Sequence, residues 1–508
     1  MLRPGDESQG SQAPPVLGLT RADWLLEDAR VLTLDPHRPV ARALAVGGGR
    51  VLALGSAADV RPFAGPTTER LDCRGATVLP GLIDPHLHLF GLAARAAHLD
   101  CQAPRIRTID DLLAAVRAHA ACLPPGAWVR GEGLDEGRLG RLPGAAELEA
   151  AAPGHPVRLR HRSRHASVLS SGALRLLGDG PGIERRDGVA TGVVSGREQM
   201  MRRLVGPLPA ETFARGLAAA ADDLVALGLS TVADATPRSR RALAPLRDAM
   251  ASGRCPLRIY AMRPRGSPAW RATGRLHPGP VKIMVEEERR GLRPGAVTLA
   301  RHIAAAASAD NQIAVHCVGT ATLVAALAAF AALPRPLRVG RRHRLEHVAE
   351  CPPPLVPRIA KLGLAVVTNP AFVHWRGDAY RAETAGAARA WLYRARSLAA
   401  AGIPLAGASD APVVPPSPWI GIAAARARRT AAGHALGAAE RLGAEAALRL
   451  FTSGAAFVLG ADRLGRLVPG GPADLVVVEP DPLQAPPDEV ATTRVRLTMV
   501  EGQRAWPR

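Results

Sequence analysis

The 508-residue chain is 47 % apolar and 3 % aromatic, with a formal net charge of +20 from 65 basic and 45 acidic residues. That is enough apolar material for a large core or for two to three domains, which excludes a disordered or fibrous protein. The basic residues are spread along the whole chain with no basic tail and no interleaved aromatics, so the charge reads as an arginine-biased surface and not as a nucleic-acid footprint.

The first residues, MLRPGDESQGSQAPPVLG, are polar and rich in Pro and Gly, with no apolar core of a signal peptide; residues 1–21 are expected to be a disordered lead. No uncharged run of about 18 apolar residues is present, so no membrane span is expected, and the cytoplasm is the default location. Six cysteines without CxxC spacing read as reduced thiols.

From Trp24 to Val78 short β-rich runs follow one another (WLLEDARVLTL, ARALAVGG, GRVLALG), with GGGR forming a turn. A second β cluster closes the chain, in ADLVVVEP and RVRLTMVEGQRAW. Two strand-rich ends around a long middle predict one small sheet domain assembled from both termini. Between them, strand-like runs (STVADAT, PVKIMV, QIAVHCV, HRLEHVAE, LGLAVVTNP, GIPLAGASD) alternate with Ala/Leu/Arg helical runs such as ATLVAALAAFAAL. This alternation predicts a parallel α/β architecture. In a β/α barrel the active side chains stand at the C-terminal ends of strands, so polar residues that close apolar runs carry the information.

The stretch VLPGLIDPHLHLF holds His86 and His88 two residues apart. In extended chain they project to one side, where two imidazoles can share a metal ion. Lys282, His316, His347 and Asp410 each sit in or at the end of an apolar run. They are separated by 34, 31 and 63 residues, that is by one, one and two βα units of about 30 or more residues each. If Asp410 closes the eighth strand, the other three fall on the fourth, fifth and sixth, LGLAVVTNP is the seventh, and all six side chains converge at one mouth. Lys282 is singular for another reason: only it and Lys361 are lysines. Lys361, in RIAKLG, reads as a helix-surface cation.

PGLIDPHLHL, a strand lysine, VHCVG, LEHV and ASDAPV, in this order, resemble the amidohydrolase superfamily, and most of all its third large sequence family, that of formamide and exoenzyme-type hydrolases. DARVLTLD, AVGGGRVLALG and GRLVPGGPADLVVVEPDPL are similar to that family's β-sandwich segments. The resemblance spans roughly Leu25 to Ala505. It implies a (β/α)8 TIM barrel over residues 80–462, a small β-sandwich domain from residues 22–79 and 463–508, and hydrolysis of a C–N bond by water activated on one or two divalent metals, usually zinc. Carried across by motif, His86 and His88 bind one ion, His316 and His347 a second, and Asp410 touches metal and attacking water. Lys282, carboxylated by CO2, bridges the two. A carbamate forms only on a neutral amine, which a buried lysine becomes and an arginine does not.

The resemblance also marks departures. A mononuclear deaminase of the superfamily carries a Glu three residues after the fifth-strand His, where this chain has Gly319. The 196 residues between His86 and Lys282 exceed the roughly 100 that three units need, which predicts an inserted subdomain at about residues 101–201. Within it, Ser-Arg-His replaces the usual Asp-Gly-His. His165 is thus retained and is expected either to hydrogen-bond substrate or to be structural, while Arg164 adds a charge suited to an acidic substrate. After Lys282, VEEERRGLRPG replaces a longer loop, and Glu286, Glu287 and Glu288 are expected as a solvated turn. His374 and Trp375 either wall the pocket or lie on the surface, and Asp234 is expected to cap the segment that follows it. The expected partner is a small-molecule substrate, with no nucleic acid and no membrane; a homodimer follows family habit. A catalytically inactive barrel scaffold would require missing ligands, and none of the six is missing.

Overall fold

A computed structural model describes residues 21–507 apart from 97, 103–104, 163–165, 269, 289–290 and 385. The expected N-terminal lead, except residue 21, lies outside the described residues, as do Arg164 and His165.

The two chain ends build two sheets. The first holds Trp24–Glu27, Ala43–Gly47, Arg50–Gly55 and Glu69–Asp72. The second joins Arg30–Leu32, Val40–Ala41 and Thr77–Pro80 to the C-terminal strands Leu475–Glu479, Arg494–Val500 and Gln503–Trp506. Val477 lies opposite Val78 in antiparallel pairing. One apolar cluster, including Leu26, Leu44, Val78, Val477 and Met499, draws on both sheets. The run LVVVE explains itself by its period of two. Leu475 and Val477 face that cluster, while Val476 and Val478 face the main core of the barrel, so both sides of this strand are buried.

The middle of the chain forms eight parallel strands that neighbour one another in chain order: Leu82–Leu87, Leu229–Asp234, Arg258–Arg263, Leu276–Ile283, Ile313–Cys317, Arg344–His347, Ala365–Thr368 and Leu405–Gly407. The circle is joined just beyond the ladder, where the Asp410 amide donates to the His86 carbonyl (2.9 Å) and the His88 amide to the Ala411 carbonyl (2.7 Å). The third strand, RIYAMR, was not among the expected ones. Its flanking arginines are buried and hydrogen-bonded. Arg258 pairs with Asp474 and, at 2.7 Å, with Glu501 of the C-terminal sheet. Arg263 donates to the Gly279 carbonyl and to Asn311 Oδ1.

Between the first and second barrel strands lies a separate six-stranded sheet whose strands run from Leu99 to Ser195. It has its own core, including Leu112, Val116, Leu148 and Leu159. The charged segment after the fourth strand folds as a hairpin, Glu286–Glu288 against Gly291–Arg293, with all three glutamates exposed. The six cysteines are free thiols, Lys361 is exposed on the helix Val356–Leu362, and no helix among the described residues is long and apolar enough to cross a membrane.

Candidate metal centre at the barrel mouth

His86 is the last residue but one of the first strand, with His88 just beyond it; Lys282, His316 and His347 lie in the fourth, fifth and sixth, and Asp410 follows the eighth. The structure brings these six residues together. Lys282 Nζ is 3.4 Å from His86 Nε2. Asp410 Oδ1 is 3.2 Å from His88 Nε2 and 3.5 Å from His86 Nε2. The His347 ring lies 4.8 Å from that of His86 and 4.6 Å from that of His316, centroid to centroid. Donor atoms of His86, His347 and Asp410 all fall within 4.8 Å of one another, the compact set able to grip one ion.

Local backbone makes this convergence possible. His347 (φ 71°) and Asp410 (φ 58°) both occupy the left-handed region, which costs a non-glycine residue on the order of 1–3 kcal/mol and is tolerated where the surroundings enforce it. In regular strand Glu346 and His347 would point to opposite sides. With the turn at His347 and Val348 (φ 48°) both reach His86.

Three of the imidazoles are held from behind. His86 Nδ1 bonds the Glu346 carboxylate, His88 Nδ1 the Thr236 hydroxyl at 2.7 Å, and His347 Nδ1 the Asn369 side-chain oxygen at 2.8 Å, while the Asn369 amide donates to the Ala408 carbonyl. The Glu346 and Asn369 oxygens can only accept, so His86 and His347 carry their proton on Nδ1 and leave Nε2 with its lone pair for a metal, while the Thr236 hydroxyl orients His88. Asp410 Oδ1 is buried without a well-formed hydrogen bond, a cost that a bound cation removes. Imidazole nitrogens with a free carboxylate oxygen suit a divalent transition metal, so the residues fit the ion expected from the sequence.

The charge states agree. Burial, helped by the Lys282 charge, pushes His86 down to about 3; burial, with His347 and Lys282, takes His316 to about 2; burial also lowers His347. All three are therefore neutral near pH 7, the state in which an imidazole can bind a metal. Burial lowers Lys282 against the pull of Glu346 and Asp410. Burial works to raise Asp410, but His88, His86 and His347 around it hold it below the usual carboxylate range, so it stays ionised. Glu346 is likewise kept well below its ordinary value, against burial, by Arg344 and His86.

Sequence reasoning missed the supporting residues. Glu346 is fully buried and takes two hydrogen bonds from Arg344 (2.6 and 3.1 Å), which also holds the Pro85 carbonyl. The available signal was two charges, Arg344 and Glu346, alternating around Leu345 in the short strand that His347 closes. Asn369 was legible only as the polar residue closing the seventh strand. Asp234 shapes the turn after its strand, accepting from the Thr236 amide at 3.2 Å, and so sets the residue that holds His88. Trp375 is exposed and His374 half-buried on the helix Ala371–Glu383.

The sequence profile of the Amidohydrolase family matches residues 69–505. The chain is 28 % identical over 541 residues to the N-substituted formamide deformylase of Arthrobacter pascens, covering 96 % of this chain and 98 % of that one. It is 26 % identical to the putative amidohydrolase YtcJ of Bacillus subtilis, over 87 % and 91 % of the two chains. Among solved structures, an uncharacterized metal-dependent hydrolase from Pyrococcus horikoshii has the same fold, with a TM-score of 0.77 at 22 % identity over 92 % of this chain and 99 % of that one. The zinc complex of atrazine chlorohydrolase TrzN from Arthrobacter aurescens superposes with a TM-score of 0.54 at 16 % identity, covering 95 % and 94 %.

Proposed function

This chain belongs to the amidohydrolase family, and from that premise we propose that it hydrolyses a C–N bond of an amide, formamide or cyclic amide with the help of divalent metal. The observation that carries the reading is the set of imidazoles anchored through Nδ1, with Nε2 of His86 and His347 gathered beside a carboxylate oxygen that has no other well-formed bond. The likeness to a formamide deformylase along nearly the whole of both chains supports the choice of bond. The two terminal sheets that share one apolar cluster are read as the family's β-sandwich.

Zinc suits the nitrogen and carboxylate donors. With a single ion, His86, His347 and Asp410 hold it; with two, His86 and His88 serve one and His316 and His347 the other. Lys282, as a neutral amine, could add CO2 through its nitrogen with loss of one proton, and the carbamate would then offer the metal oxygen donors in place of an amine. The bound cation supplies Lewis acidity and brings the pKa of water down to about 7. Asp410, ionised and facing the same space, takes a proton from the attacking water and returns it to the leaving nitrogen. Water adds to the carbonyl carbon, the C–N bond breaks, and acid and amine leave. Glu346, Thr236 and Asn369 keep the imidazoles aimed throughout.

Elemental analysis of protein purified with and without bicarbonate, alongside a panel of N-formyl, N-acyl and cyclic amides, tests the reading. One or two zinc, iron or manganese ions per chain together with amine release are expected. Fewer than one ion under all conditions counts against it.

A mononuclear deaminase is the second reading, and one observation favours it. A Cβ built on Gly319 would lie 2.7 Å from Glu287 Oε2, so a carboxylate from the hairpin stands beside the position where that class carries its glutamate. Ammonia release from aminated heterocycles, lost in Glu287→Gln, would replace the amide reading with this one.

A further inference from the structure

We propose, resting on the hydrolase reading, that the substrate carries a carboxylate remote from the scissile bond, and that an arginine-lined cavity beside the metal centre receives it. The cavity has a volume of about 390 Å³, within the range of small-ligand sites. None of the six candidate ligands lines it, but its wall is continuous with theirs. Pro412 and Val413 form part of it, and the Val413 amide donates to the Asp410 carbonyl at 3.0 Å.

Four guanidinium groups reach this space from three separate elements. Arg95 comes from the helix Leu89–Ala96, which begins directly after His88, and its Nη1 donates to the Pro412 carbonyl at 3.4 Å. Arg160 and Arg162 come from the inserted sheet, on and just after the strand Val157–His161. Arg376 comes from the helix Ala371–Glu383, which follows the residue that holds His347. Two acidic residues, Asp100 and Glu132, share the lining, so arginine outnumbers acid.

Arg95 and Arg162 hold their acidic partners loosely. Arg95 is 3.7 Å from Asp100 and Arg162 is 3.4 Å from Asp135, whereas Arg141 elsewhere on the insert grips Glu147 with two bonds of 2.7 and 2.6 Å. Arg376 forms no ion pair among the described residues. Like charges drawn into a concavity from three elements repel one another unless an anion joins them. A guanidinium fork fits a carboxylate with two parallel bonds, which a neutral amide cannot match. The inserted sheet thereby takes part in recognition, supplying one cationic wall of a substrate cavity whose other walls descend from the elements bearing His88, His347 and Asp410.

The test compares 4-formamidobutanoate with 4-formamidobutanamide, which differ in one charge. The acid is expected to have a kcat/KM about 10- to 100-fold higher. Arg376→Glu should bring the two near parity by raising KM about tenfold or more for the acid and by much less for the amide. Equal kcat/KM in the native enzyme, or an equal loss for both compounds in the variant, overturns the proposal. If neither compound is cleaved, the hydrolase reading has failed on these bonds and the cavity is judged by binding alone. Calorimetric binding of 4-acetamidobutanoate that weakens about tenfold or more in Arg376→Glu, at unchanged metal content, supports it; no binding by the native protein at millimolar concentration overturns it.

Discussion

Glu346 grips His86 by Nδ1 across a sequence separation of 260 residues, with both side chains shut away from solvent. Glu346→Gln leaves the buried Arg344 cation without its counter-charge and weakens the hold on the imidazole. Breaking such a pair from one side costs about 3–5 kcal/mol, and losing a carboxylate behind a metal-binding histidine lowers metal affinity about 10- to 100-fold. Denaturant unfolding and a competitive metal titration on the variant check both figures; unchanged values in both would remove Glu346 from the site's support.

Lys282→Arg keeps the positive charge but cannot form a carbamate, so the variant is expected to lose metal and activity together. Lys282→Ala should lose them too, and formate or acetate in the buffer should restore part of both by standing in for the missing oxygens. Elemental analysis with and without the added acid reads this. Full metal loading in Lys282→Arg would leave the lysine as a packing residue only.

Asp410→Asn keeps the shape of the side chain but removes the base. The expected drop in kcat is about 10²–10⁴-fold, the usual share of a proton-transfer group, with the melting temperature near that of the parent. Steady-state kinetics at matched metal content, beside thermal melts, separate loss of the base from loss of metal and from loss of fold.

Metal-free protein should lose stability as pH falls from about 7 toward 3. His86, His316 and His347 have folded-state pKa values below the ordinary 6.5. Between the folded and unfolded values the unfolded chain binds more protons, so stability rises with pH there, by up to about 1.4 kcal/mol per pH unit for each group. Asp84, raised by burial to about 7, acts in the opposite sense between about pH 4 and 7, as do Asp234, Asp474 and Asp223, which burial also raises; His119, His277, His302, His343 and His374, which burial lowers, add to the imidazole side and outweigh them. Glu346, held low, adds to the loss once the pH passes below its unfolded value. Thermal melts in chelator across this window should slope downward toward acid; a flat profile contradicts the assigned protonation states.

Arg258 ties the third barrel strand to Asp474 and Glu501 of the terminal sheet. Arg258→Ala strands the buried Asp474 carboxylate and is expected to destabilise the protein by about 3–5 kcal/mol. A double variant that also replaces Asp474 with Asn should recover part of that loss, measured by a double-mutant unfolding cycle.

What could be read from the chain follows from its chemistry. Lys282 stood out because arginine has replaced lysine almost everywhere else, His86 and His88 because they stand two apart in extended chain, and Lys282, His316, His347 and Asp410 because each sits in or at the end of an apolar run at βα spacing. The third strand was hidden by Arg258 and Arg263, which resemble loop residues until their buried partners, far away in sequence, are known. Glu346 was hidden because alternation along a strand places it opposite His347, and only the left-handed turn at His347 cancels that rule. Thr236 and Asn369 act through hydrogen bonds between neighbouring strands, which no local pattern encodes.

The seam of the barrel carries one more implication. The Ser409 amide donates to Asp84 at 3.1 Å across 325 residues, and the Asp410 amide meets the His86 carbonyl at the same join. Assembly of the ion's grip must therefore await the last stave of the cask. Contacts of such separation form late on a folding route, so uptake of the ion reports that the ring has been sealed, and a chain interrupted before its eighth strand would leave the ribosome unable to retain it.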